Sequence, residues 1–123
     1  MMKTNRDITA ILGQTVHVLI DRPLGSVHPR YPNLVYEVNY GYVPGILGGD
    51  GEEQDAYILG IDEPLAEFDG VIIAVLERLN DNESKWIVAS ANTVWSDEDI
   101  LQKIHFQEKY FSTRLLRKKR TTP

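Results

Sequence analysis

At 123 residues with 42% hydrophobic side chains, the sequence is sized for one domain, 1–123, that buries its own core. It contains no cysteine, which excludes a disulfide framework, a thiolate nucleophile and a cysteine-ligated zinc. The net charge of −5 is unevenly spread: the last ten residues hold five of the thirteen Lys+Arg, leaving eight cations against eighteen acids in the body up to Thr113.

So acidic a body disfavours nucleic acid as a partner and suits a site that gathers hard cations. The longest apolar run, VIIAVL at 71–76, is strand-length. The N-terminal MMKTNRDITAILG lacks the apolar core of a signal peptide. No membrane association and a cytoplasmic location are therefore expected.

In chain order, TVHVLID (15–21) alternates with the strand period, placing Val16, Val18 and Ile20 on one face. LVYEVNYGYV (34–43) is β-branched and aromatic and reads as a second strand. DAYILGI (55–61), GVIIAVLER (70–78) and KWIVAS (85–90) supply three more, and the connecting stretches are rich in turn formers. The segment from 97 to 116 follows a capping box, Ser96 with Asp99, and carries Ile100, Ile104, Phe111 and Leu115 as one apolar stripe. These elements predict a mainly β fold with α: a small five-stranded, OB-like barrel with a C-terminal packing helix. Residues 117–123 form a basic tail, expected to be solvated and dispensable for folding, with a phosphate or RNA contact as the rival reading.

The chemistry-bearing stretch is NYGYVPGILGGDGEEQD (39–55). Behind the Gly48-Gly49 pair stand Asp50, Glu52, Glu53 and Asp55, oxygen donors of the type that Mg²⁺ or Mn²⁺ takes. A solvated surface turn is the competing reading of the same acids. Tyr36, Tyr40 and Tyr42 crowd upstream, while Arg22, Arg30 and Lys85 each stand beside a strand end or loop. Metal-gathering acids ringed by cations and tyrosyl hydroxyls suit a multiply charged oxyanion such as a phosphate.

Asn39-Tyr40-Gly41-Tyr42, then Asp50-Gly51-Glu52-Glu53-Gln54-Asp55, then Glu83-Ser84-Lys85 and HFQEKYF (105–111) follow one another in an order that resembles the soluble family I inorganic pyrophosphatases. The hallmark of that family is a tyrosine-rich strand ending in Asn-Tyr-Gly-Tyr, followed by Asp-Gly-Asp-Pro-x-Asp. The resemblance implies an OB-like barrel and Mg²⁺-dependent hydrolysis of pyrophosphate, or another phosphoanhydride, with Mn²⁺ as the substitute ion. It implies Asp50, Glu52, Asp55 and Glu83 as metal ligands, with Glu52 also taking the proton of the attacking water. Tyr40 and Tyr110 would donate to phosphate oxygens, and Arg22 and Lys85 would pair with phosphate.

The sequence departs from the pattern at Glu52, where the family has Asp, and at Phe111, where it places a lysine. The inserted segment GSVHPRYPN (25–33) places His28 and Arg30 near the expected mouth, where they read either as replacement cations for the substrate or as part of a surface loop. Two other readings stand beside hydrolysis: a non-catalytic binder of a phosphate-containing metabolite, and an OB-type interaction module. A homo-oligomer is left open.

Overall fold

The structure is a computed structural model and describes residue 8 and residues 10–80 and 83–118. Among the described residues the main elements follow in the order β1 (Thr15–Arg22), β2 (Asn39–Leu47), β3 (Glu53–Ile58), β4 (Glu67–Arg78), β5 (Ser84–Ala89), α1 (Asp97–Glu108) and β6 (Thr113–Leu116). Neighbours in the sheet run β1-β2-β3-β5-β4-β6, and β1 also pairs with β4, closing β1 to β5 into a barrel. The β3–β5 pair is parallel and the others are antiparallel. The expected five-stranded barrel with a helix is thus the observed architecture, with one extra strand.

Side-chain alternation divides the core in two. Val18, Val43, Ala56, Ile58, Ile72, Val75, Trp86 and Val88, from all five barrel strands, make one cluster that fills the barrel. Tyr57, Leu76 and Ile87 face the other way and pack with Ile100, Ile104 and Phe106 of α1. At Gly41 a Cβ would lie 1.9 Å from the Leu19 carbonyl oxygen, so β1 and β2 meet there only because the residue is glycine.

The helix is shorter than the sequence suggests. It starts at the expected cap, with Ser96 Oγ accepting from the Asp99 N–H at 3.0 Å, but ends at Glu108. Phe111 leaves the apolar stripe to lie 3.6 Å from the Arg78 guanidinium, and Leu115 joins β6. The cause is the outer edge of β4: β1 pairs with its first half and leaves the second exposed, and β6 covers Val75–Arg78.

The tail is also less free than expected. Arg117 donates to Asp97 (2.6 Å), to the Trp95 carbonyl (3.0 Å) and to the Ile73 carbonyl (3.2 Å). Lys118 is exposed, and residues 119–123 lie outside the described residues. No helix among the described residues is long and apolar enough to cross a membrane.

Candidate functional site

Three neighbouring strands build the site by simple alternation. Tyr57 on β3, Ile87 on β5 and Leu76 on β4 lie under α1; two residues along on the same faces come Asp55, Lys85 and Arg78. Beyond the end of α1 these polar side chains open into a cleft of about 740 Å³. Asp21 and Arg22 at the end of β1 and Tyr40 on β2 complete its inner wall, and the 28–34 segment makes the outer one.

Lys85 is the centre of the inner wall. Only 3% of it is exposed, and its ammonium donates to Asp55 Oδ2 (2.7 Å), Glu83 Oε1 (2.7 Å) and Tyr40 Oη (2.9 Å). All three N–H groups are therefore engaged, as a buried ammonium requires. Burial, reinforced by Asp55, raises the Tyr40 pKa well above the usual phenol value, so its hydroxyl keeps a proton to donate.

Arg78 is fixed from the opposite side. Its Nε and Nη2 form a fork onto Glu108 (3.0 and 2.7 Å), and its Nη1 reaches Glu83 at 3.5 Å. Burial works against its charge, but the hydrogen bonds and charge of Glu108 outweigh this and raise its pKa. Tyr57 donates to the same Glu108 carboxylate and accepts from Gln107 (2.6 Å), and Gln107 accepts from Tyr36 (2.9 Å). A continuous buried network therefore joins the end of α1 to the cleft floor.

Of the residues singled out from sequence, the structure brings Tyr40, Asp55, Glu83 and Lys85 into direct contact and sets Arg22 on the same cleft. Tyr110 stands at the rim, 66% exposed. Asp50 lines a small adjoining crevice with Asp55 and Glu83, and its Oδ1 accepts from the Glu52 N–H at 3.0 Å. Glu52 and Arg30 are exposed and line neither space.

Arg30 instead uses its backbone N–H to bond His28 Nδ1 at 3.0 Å, which leaves the His28 Nε2 as donor in the neutral ring. Burial, then Arg22 and Arg30, lower the His28 pKa and favour that neutral ring. Asp21, Arg78 and Glu108 were not picked out from sequence. Nothing local marks them, since each acquires its role from a partner across the fold.

The acids supply the hard oxygen donors that Mg²⁺ takes, and Asp50, Asp55 and Glu83 surround one crevice. Among the described residues no three such donors converge closely enough to enclose an ion as they stand. The Lys85 ammonium holds the nearest oxygens of two of them. The donor chemistry thus fits a divalent ion, which would compete with Lys85 for Asp55 and Glu83.

Solved structures that share this fold include inorganic pyrophosphatases. That of Ehrlichia chaffeensis superposes with a TM-score of 0.63 at 17% identity, covering 83% of this chain and 84% of the other. The Helicobacter pylori protein gives 0.60 at 18% identity, covering 85% of each chain. The Neisseria gonorrhoeae protein gives 0.58 at 22% identity, covering 85% of this chain and 81% of the other. No protein-family model and no curated protein matches the sequence. The likeness is one of fold: this chain is built on the barrel-and-helix plan of the inorganic pyrophosphatases.

Proposed function

We propose that the chain hydrolyses a phosphoanhydride, with inorganic pyrophosphate as the first substrate to test. The observation that carries this reading is the Tyr40–Lys85–Asp55–Glu83 cluster, set with Arg22 and Arg78 in one cleft of a pyrophosphatase-like fold. Arg22, Arg78 and Lys85 are the groups to bind phosphate oxygens, Tyr40 donates from the floor, and Tyr110 reaches in from the rim.

Hydrolysis places a water oxygen on one phosphorus and breaks the bond from that phosphorus to the bridging oxygen. The electron pair stays on the departing phosphate, and a proton of the water passes to a carboxylate. Asp21 is the better placed acceptor: it lines the cleft, whereas Glu52 lies on the exposed turn. Asp50, Asp55 and Glu83 are the residues to hold Mg²⁺, or Mn²⁺ in its place. When bound, the ion would neutralise phosphate charge and supply an acidified water.

The test is phosphate release from pyrophosphate with and without Mg²⁺. Wild type should release phosphate only with the ion, and Asp55→Asn should lower the rate by at least about a hundredfold. Release that is independent of Asp55 would sink the assignment. One observation favours a second reading, a binder without turnover: all three Lys85 N–H groups are already taken. Mg²⁺-dependent pyrophosphate binding with no phosphate release would select it.

A further inference from the structure

The cleft is larger and more aromatic than pyrophosphate needs. Nine heavy atoms at the volume of liquid water per atom fill roughly 270 Å³, against a cleft of about 740 Å³. Lys85, Arg78 and Arg22 are the cations among its lining residues. The same cleft is also lined by His28, Tyr31, Leu34, Tyr110 and Phe111.

The outer wall is arranged for a flat partner. The His28 ring is stacked 6.2 Å from Tyr36, at 11° between planes, and lies 4.8 Å from Tyr31. Tyr36 is buried in the core, so it backs His28 rigidly, whereas Tyr31 is 59% exposed. Two exposed tyrosines, Tyr31 and Tyr110, on a cleft that also carries charged groups suit an aromatic ring as part of its ligand. His28 also lines the cleft, and its Nδ1 is taken by the Arg30 N–H, so in the neutral ring Nε2 carries the proton.

We propose that the cleft takes a diphosphate ester carrying an aromatic ring, a nucleoside 5′-diphosphate being the simplest, with its phosphates at Lys85 and Arg22 and its base against Tyr31. This deepens the phosphoanhydride reading and rests on it. Hydrolysis would form the water oxygen bond to the terminal phosphorus and break the bond from that phosphorus to the bridging oxygen. The electron pair stays on the nucleoside monophosphate, inorganic phosphate is the second product, and one water proton is lost to a carboxylate.

The experiment compares pyrophosphate, methyl diphosphate and ADP with Mg²⁺, by phosphate release and by titration calorimetry, in wild type, Tyr31→Ala and Tyr31→Phe. ADP should exceed methyl diphosphate roughly tenfold in kcat/KM, a ratio that base stacking on one aromatic supplies. Tyr31→Ala should reduce that preference to near unity, and Tyr31→Phe should restore it. If pyrophosphate is hydrolysed but the two esters are indistinguishable, the ring site is refuted and the phosphoanhydride reading stands. If nothing is hydrolysed, the hydrolase reading fails, and the ring site is judged by binding alone. Tighter ADP than methyl diphosphate binding, lost in Tyr31→Ala, then supports it, and equal binding overturns it.

Discussion

Within the run Asn39-Tyr40-Gly41-Tyr42, neighbouring residues have unlike work to do. Asn39 is fully buried; its Oδ1 accepts from the Leu24 and Leu65 N–H groups (2.9 and 3.0 Å), and its Nδ2 donates to the Glu63 carbonyl (2.9 Å). It ties two loops to β2. Gly41 permits the β1 crossing, and Tyr40 alone of the first three touches the charged cluster. Gly41→Ala should therefore cost about 3 kcal/mol or more, because the clash is with backbone and only a shift of β1 relieves it. Denaturant unfolding measures this, and a loss under about 1 kcal/mol would mean that the strands separate easily. Tyr40, Asp55 and Lys85 were singled out in the sequence by the motif order that carries them, and the structure brings them into contact. Arg78 and Glu108 were not, because a fork between the end of β4 and the end of α1 has no signature at either place, and Asp21 at the end of β1 reaches the cleft only through the fold.

At the scale of elements, the strands were legible and their ends were not. Alternating and β-branched runs located all five barrel strands, but 34–38 precedes β2 as irregular chain and 113–116 became β6 instead of helix. An apolar stripe at helical spacing cannot report the vacant edge of β4, which is a property of the sheet. One pairing between elements should be visible in pH. His17 on β1 contacts Asp69 (2.7 Å) and Glu67 (3.0 Å) on β4, and the hydrogen bond to Asp69, foremost, raises its pKa above 6.5. A raised folded pKa stabilises fully below the unfolded value and is lost as pH rises through the folded one. Wild type should therefore exceed His17→Gln in Tm at acidic pH, with the gap closing toward alkaline pH. Parallel Tm curves would show that the pairing contributes nothing.

For the molecule as a whole, the balance of charge in the cleft decides what can enter. Three cations, Arg22, Arg78 and Lys85, face three acids, Asp21, Asp55 and Glu83, and Glu108 claims part of the Arg78 charge. A polyanion meets no surplus positive charge there, so it must arrive with a cation or displace a carboxylate. Mg²⁺ alone, at ten times its Kd, should stabilise the fold by about 1.4 kcal/mol, which is a rise of roughly 4–6 °C in Tm for a domain of this size. Matched NaCl should give less, and a rise no greater than that of NaCl would return the acids to a surface role. Lys85→Met sharpens the test, since it removes the ammonium that competes for Asp55 and Glu83. Without metal the variant should lose about 2 kcal/mol, less than a fully buried broken pair because Asp55 is one-third exposed. With Mg²⁺ it should regain more than wild type gains, as the ion enters where the ammonium was. If the variant is destabilised and Mg²⁺ fails to restore it beyond the wild-type shift, Lys85 is a structural cation and the crevice holds no metal.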